Sequence, residues 1–187
     1  MKTLIITILL TGIITTSCSA QKKIATLPDN VATKAMLETY LIKKEQKKVT
    51  IENSKNKFAN IKQSSPNLPI NIAITPYYFR PDLKELTMIC ARNITLKELE
   101  NLATNKYAGL TIDLRTTVDG KVLELSFFTD DTSILNLQQL ENIEHEIKAN
   151  NPIIIRSGVE AYVKGSNFLR ITSKIYFDDM LKVKKTL

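Results

Sequence analysis

The stretch LTIDLRTTVDGKVLELSFFT, residues 110–129, decides the fold, because two alternating runs flank the pair Asp119-Gly120. Asp-Gly between alternating apolar residues is the strongest short-range signal for a β-hairpin. A two-residue turn at this pair places Val118 opposite Lys121, and pairing proceeds outward from there. The sequence therefore predicts two antiparallel strands in a defined register.

This register divides the hairpin into two faces. Its apolar face contains the cross-strand pairs Thr116 with Leu123, Leu114 with Leu125, and Ile112 with Phe127. The other face places Arg115 opposite Glu124 and Asp113 opposite Ser126. Since a slip of one residue would exchange the two faces, the register is well specified. We expect the apolar face in the core, and Arg115 with Glu124 as an exposed ion pair contributing about 0–1 kcal/mol.

Helices are predicted on both sides of the hairpin. Thr95 and Glu98 form a capping box, which begins a helix that runs to about Lys106. Asn136 caps a second helix over residues 137–149. The apolar stripe of the second helix comprises Leu137, Leu140, Ile143 and Ile147. Its solvent side is expected to hold Glu141, Glu144, His145 and Glu146.

A last strand is predicted over residues 168–177, where apolar and polar residues alternate. The expected buried side comprises Leu169, Ile171, Ile175 and Phe177, and the expected outer side comprises Arg170, Thr172, Lys174 and Tyr176. The charged segment 178–187 is expected to fray. In the N-terminal part the patterns indicate a helix over 31–46, an unassigned loop over 49–67, and strands within 68–79 and 85–91.

The order helix, strand, strand, helix, strand over residues 95–177 resembles the TonB C-terminal domain, and Val118-Asp119-Gly120-Lys121-Val122 looks like that family's first hairpin. The segments 137–152 and 165–177 are similar to its second helix and its last strand. The resemblance implies an α+β fold, a small antiparallel sheet packed by two helices, to which this chain adds an N-terminal helix and strand. The chain lacks the family's Trp, and Ser157-Gly158 stands where Pro-Gly is usual. An energy-transducing role is therefore not implied.

The N-terminal segment reads as an export signal. Lys2 is followed by an apolar run over 3–14, which is short for a membrane-spanning helix, and then by Thr15-Thr16-Ser17-Cys18. This ending resembles a bacterial lipoprotein cleavage box, in which the cysteine is lipidated, although Thr15 stands where Leu is preferred. The alternative is an ordinary signal peptide with an incidental cysteine. We expect a signal peptide over 1–17 and attachment to a cell-envelope membrane through lipid on Cys18.

The rest of the sequence is divided into a tether and one domain. Residues 18–30 are expected to form a lipid-anchored tether, and residues 31–187 a single domain with parts 31–94 and 95–177. The net charge of +7 is not gathered in a nucleic-acid-binding motif, so we interpret it as a solvated basic surface. With two cysteines and one histidine, neither a metal site, a cofactor nor an internal disulfide is expected, and Cys90 is interpreted as a small buried hydrophobe.

Two functions remain open at this stage. The first is a non-enzymatic envelope interaction module, in which the strand containing Phe168, Arg170, Thr172, Lys174 and Tyr176 accepts an extended partner by β-augmentation. The plainer interpretation of this strand is an edge protected by Arg170 and Lys174. The second function is an extracytoplasmic hydrolase acting on an envelope polymer, for which no catalytic motif is present. Its candidate carboxylates are Asp113, Glu124, Asp130 and Asp131.

Overall fold

The computed structural model describes residues 22–68, 79–130, 132–158 and 160–187. Its strands are β1 Val31–Lys34, β2 Thr39–Glu45, β3 Lys48–Asn53, β4 Phe79–Pro81, β5 Gly109–Thr116, β6 Val122–Asp130, β7 Ile153–Ile155 and β8 Leu169–Tyr176. Its α-helices are α1 Leu83–Asn93, α2 Leu96–Leu102, α3 Leu137–Asn150, α4 Glu160–Val163 and α5 Phe177–Lys184. The predicted signal peptide, Cys18, Asp131 and most of the predicted strand at 68–79 lie outside the described residues.

Six strands form one antiparallel sheet in the order β1-β2-β3-β6-β5-β8, and β4 pairs with β7 in a separate small sheet. Helices α1, α3 and α5 pack on one face of the large sheet, and α2 packs on α5. This arrangement confirms the α+β class with an antiparallel sheet. Strands from both expected parts, 31–94 and 95–177, belong to the same sheet and share one core.

The central hairpin has the predicted register along most of its length. Ile112 pairs with Phe127 and Leu114 with Leu125, and all four side chains are buried against the helices. The same ladder places Arg115 opposite Glu124. The prediction that the apolar face lies in the core is therefore confirmed.

The turn itself differs from the prediction. Thr117 donates its backbone N–H to the carbonyl of Lys121, which closes a loop of three residues rather than two. Gly120 has φ +85°, as the third residue of such a loop requires. The pairing of Thr116 with Val122 rather than Leu123 marks a β-bulge, and this extra residue restores the predicted register from Arg115 onward.

The predicted helix over 31–46 is wrong, because this segment forms β1 and β2. Tyr40 and Ile42 are fully buried and their neighbours are not, so the segment follows the period of a strand rather than that of a helix. The loop expected over 49–67 also contains most of β3, which pairs with β2 and β6. In both segments, pairing with strands from other parts of the chain determines the secondary structure.

Two further expectations are corrected near the helical layer. The predicted strand at 85–91 is helix α1, capped by Asp82 and buried through Leu86, Ile89 and Cys90 at helical spacing. The expected fraying end is helix α5, whose Met180 is fully buried. In both segments a few apolar residues at helical spacing pack on the core.

Residues expected in the tether also contact the domain. Ile24 lies in a 3₁₀ turn, is fully buried and donates its backbone N–H to the carbonyl of Leu135 at 2.8 Å. Leu27 is buried as well. The described part of the chain is therefore packed on the domain from about residue 23 onward.

Helix α3 begins at its predicted cap, Asn136, and buries its predicted apolar stripe. The expectation that Glu141 and Glu144 face solvent is wrong, because each side chain is almost entirely buried. Glu141 accepts backbone N–H groups from the turn between β1 and β2, and Glu144 accepts the hydroxyl of Tyr40 at 2.7 Å. Strand β2 and the turn before it bury these two carboxylates, and the sequence of α3 alone does not predict their burial. His145 is exposed, as expected.

Candidate functional site: the outer edge of strand β8

Strand β8 forms one end of the large sheet and, within the described residues, pairs only with β5. Its alternation is as predicted: Leu169, Ile171 and Ile175 are buried, whereas Arg170 and Thr172 are exposed. The polar residues face away from the helical layer, since the apolar residues between them contribute to the core. The predicted strand is therefore an edge strand, and its outer edge, residues 170–176, is called the β8 edge below.

The backbone direction along β8 follows from two contacts. The carbonyl oxygen of Ile175 faces Gly109 of β5 so closely that a Cβ at Gly109 would lie 2.4 Å from it. The backbone N–H of Arg170 points the other way and donates to Gln63 Oε1 at 3.1 Å. Because amide directions alternate along a strand, Thr172 and Lys174 also present their backbone groups outward. No described residue makes a backbone hydrogen bond to these two amides.

The five predicted edge residues do not all belong to one surface. Phe168 is 1% exposed and packs on Phe58, with ring centroids 5.3 Å apart, so its assignment to a partner-binding surface is wrong. Tyr176 is 41% exposed, and the Lys174 ammonium lies 5.5 Å from its ring centroid. Arg170, Thr172, Lys174 and Tyr176 therefore form the accessible set.

A groove of about 700 Å³ runs beside the β8 edge. Its far wall comes from β4, the start of α1 and β7, through Phe79, Leu83 and Ile154. Its near wall is β8 itself, from Arg170 to Ser173. This apolar groove has the size and the mixed apolar and polar lining of ordinary ligand sites. The sequence provides no signal for it, because its walls come from three separate segments.

A second pocket, of about 420 Å³, lies on the open face of the sheet and reaches the same strand. We call it the basic pocket; its principal lining residues are Lys48, Thr111, Phe128, Arg170, Thr172 and Lys174. Lys48 is the first residue of β3 and directly precedes the loop expected over 49–67. The apolar groove and the basic pocket share Arg170 and Thr172. The β8 edge therefore lies between two recesses, one on each side of the strand.

Beneath the β8 edge lies a buried polar cluster rather than the expected exposed ion pair. Asp113 is 0% exposed and accepts hydrogen bonds from Arg170 Nε at 2.8 and 3.0 Å and from Thr172 Oγ1 at 2.7 Å. Arg115 is 5% exposed and lies 3.4 Å from Asp113, whereas no salt bridge joins it to Glu124. Arg115 and Glu124 are cross-strand neighbours as predicted, but the expected exposed ion pair between them is wrong.

The cluster is buried because residues 54–68, which we call the covering loop, lie over it. Glu124 accepts the backbone N–H groups of Lys57 and Phe58, the latter at 2.9 Å. Arg115 Nη2 donates to the carbonyl of Ala59 at 3.4 Å. Glu124 and Arg115, which appeared exposed in the hairpin, thus contact a loop more than fifty residues away in sequence.

Ion pairing at the β8 edge holds Arg170 in its charged state. Its hydrogen bonds to Asp113, together with the opposite charge, raise the pKa of Arg170 above its usual value. The side chain is still 53% exposed. Arg170 therefore couples the buried cluster to the accessible surface of β8.

The carboxylates considered for hydrolysis occupy different environments. Asp113 and Glu124 are engaged in the contacts above, and Asp130 is exposed at the end of β6. Burial raises the pKa of the Cys90 thiol to about 12, which leaves that group in its unreactive form at neutral pH. Within the described residues, no group of three or more His, Cys, Asp or Glu side chains could hold a metal ion.

Comparison with known proteins identifies the fold but no function. No family model matches the chain, and no curated protein matches it. The crystal structure of a DUF5043 family protein from Bacteroides uniformis is similar, with a TM-score of 0.63 and 15% sequence identity over 78% of this chain and 84% of that chain. At this level of identity, the likeness shows that the two chains share a fold.

Proposed function

We propose that this chain is a lipid-anchored extracytoplasmic protein whose β8 edge binds an extended segment of an envelope protein or peptide as an added strand. The supporting observation is the outer edge of β8, which pairs with no described strand and lies beside the apolar groove. Main-chain hydrogen bonds provide affinity in such complexes, and pockets for alternate side chains provide specificity. The resemblance of residues 95–177 to the TonB C-terminal domain remains part of this proposal.

The edge also carries features that limit indiscriminate pairing. Arg170 and Lys174 are charged, and Gln63 occupies the N-terminal amide of the edge. Charged side chains on edge strands reduce aggregation. Gln63 blocks one end of the edge, and the apolar groove continues beyond it along Thr172 and Ser173. The edge available for pairing is therefore short and has one defined end. A short edge with side-chain recesses favours a specific partner over general association.

The anchor is proposed from the order of Lys2, the apolar run at 3–14 and Cys18. No helix among the described residues has the length and apolar character needed to cross a bilayer. Cys18→Ser should therefore move the protein from the membrane fraction to the soluble fraction, because a lipidated cysteine would be its attachment. Cys90→Ser, which removes the buried thiol, is the matched control. Identical fractionation of Cys18→Ser and the unaltered chain, with no lipid on the N-terminal peptide in mass spectrometry, would refute the anchor.

Strand addition is tested by removing one backbone donor. Thr172→Pro eliminates the outward N–H in the middle of the β8 edge, whereas the β5 side of the strand keeps its hydrogen bonds. Thr172→Val is the control, because it loses the same hydroxyl bond to Asp113 but keeps the N–H. A photo-crosslinking residue at Tyr176 in intact cells should attach to one extended partner segment in the Val variant and lose it in the Pro variant.

Circular dichroism and urea unfolding establish first that the Pro variant is folded. If that variant fails to fold, Lys174→Pro with Lys174→Gln as its control repeats the test at the next outward amide. The same crosslinked segment in a folded Pro variant would contradict strand addition at this edge.

A further inference from the structure

The two recesses beside β8 differ in chemistry, and one strand would reach both. The groove side carries apolar side chains, among them Phe79, Ile154 and Ile171, and one charged residue of each sign, Arg80 and Asp82. On the open face, Lys48 and Lys174 make the other side cationic. A strand added at the β8 edge would direct alternate side chains to these two sides, since successive residues of a strand point to opposite faces.

The cations of the basic pocket are available to an added partner. Neither Lys48 nor Lys174 forms a salt bridge with a described residue. Arg170 uses Nε for Asp113, and its terminal amino groups make no hydrogen bond to a described residue. Asp130 is the one carboxylate in the described lining of this pocket. The pocket therefore has an excess of positive charge.

We infer that the partner segment alternates acidic and apolar residues, in the order acidic, apolar, any residue, apolar, acidic. This inference rests on the proposed function and specifies its ligand. Residues directly across a ladder interact most strongly, so an acidic residue faces Lys174 and an apolar residue faces Ser173 at the groove. Beyond Thr172 the segment continues along the groove past Ile171 and Arg170 without main-chain pairing.

Gln63 determines where along the β8 edge the partner segment can pair. Because its Oε1 accepts the Arg170 N–H, main-chain pairing begins at Thr172 and continues toward Tyr176. The acidic residue opposite Lys174 is therefore held by an ordered backbone, whereas the one near Arg170 is reached only through that long side chain. Lys174 should consequently contribute more to the charge preference than Arg170.

The test uses a fluorescent peptide, Ser-Glu-Val-Thr-Val-Glu-Ser, and the full-length chain in detergent, with binding followed by anisotropy. Ser-Gln-Val-Thr-Val-Gln-Ser removes the charges, and Ser-Glu-Glu-Thr-Val-Val-Ser keeps the composition but breaks the alternation. We expect the first peptide to bind about tenfold more tightly than either of the others at low salt. The advantage over the Gln peptide should decrease as salt screens the charges.

A charge exchange assigns the preference to one residue. Lys174→Glu should weaken the Glu peptide about tenfold and strengthen a peptide carrying Lys in place of both Glu residues. Lys106→Glu makes the same change at an exposed lysine that lines neither recess and should leave all affinities unaltered.

The outcomes separate this inference from the proposed function. If the Glu and Gln peptides bind equally and Thr172→Pro abolishes both, strand addition stands and the acidic preference is wrong. If none of the peptides binds at millimolar concentration, the inferred sequence is wrong, and the crosslink at Tyr176 alone decides strand addition. If Lys174→Glu and Lys106→Glu weaken the Glu peptide equally, the attraction is a general effect of net charge, and the basic pocket is not a specific site.

Discussion

Asp113→Asn should lower the free energy of unfolding by about 3–5 kcal/mol, the usual cost of breaking a buried ion pair by removing one partner. Asp113 is the carboxylate that balances Arg115, whose Nε and Nη1 have no hydrogen-bond partner among the described residues. Without that charge, a guanidinium that is 5% exposed remains uncompensated. Urea unfolding measures the loss, and Asp130→Asn, at an exposed position of β6, should change stability by less than about 0.5 kcal/mol.

A double variant identifies the source of this loss. If uncompensated Arg115 is the cause, Asp113→Asn combined with Arg115→Met should be more stable than Asp113→Asn alone, because the buried cation is also removed. The difference in unfolding free energy between the single and the double variant measures the coupling between Asp113 and Arg115, which lie on the same strand. A loss below about 1 kcal/mol for Asp113→Asn would mean that water solvates this face, and that the covering loop does not exclude it.

Glu141→Gln should lower the free energy of unfolding by roughly 2–4 kcal/mol, because it replaces one acceptor oxygen of a buried carboxylate by a donor. The Glu141 carboxylate accepts the backbone N–H groups of Met36 at 3.0 Å, Leu37 at 2.8 Å and Glu38. An amide oxygen can satisfy the two donors at Oε1, but the NH₂ group would then face the N–H of Met36. That buried amide would have no acceptor, and the charge that strengthens the remaining bonds is lost.

Glu100→Gln, the same chemical change at an exposed position of helix α2, is the control and should have little effect. Hydrogen exchange provides a second measurement, since the amides of Met36 and Leu37 should lose protection in Glu141→Gln while the amides of β5 keep theirs. Unchanged protection at the turn would contradict the proposed role of Glu141 in holding it.

Local signals predicted the elements whose stabilising contacts are close in sequence. The capping box at Thr95, the cap at Asn136 and the β5–β6 pairing all depend on residues a few positions apart, and all are confirmed. The alternation of β8 is confirmed for the same reason, because each side chain's direction follows from the strand period alone. The exact turn at Gly120 was missed, since loop length depends on a bulge that no local pattern specifies.

Long-range pairing decided the assignments that the sequence missed. Residues 31–46 contain apolar positions compatible with either period, and pairing of β2 with β3 and of β3 with β6 selected the strand. The apolar groove and the basic pocket combine segments separated by up to about two thirds of the chain, so no sequence motif predicts them. Lys48 belongs to the basic pocket because the sheet order places β3 beside β6, near β5 and β8.

By itself, the sequence determined the α+β class, the central hairpin register, the two capped helices and an amphipathic last strand. Each follows from propensity, capping or periodicity within one segment. Tertiary structure alone decided which polar residues are buried. A polar face is exposed only when nothing packs on it, and residues 54–68 and β1–β3 cover Asp113, Arg115 and Glu141. Burial depends on the complete packing of the chain, which the pattern of any single segment does not contain.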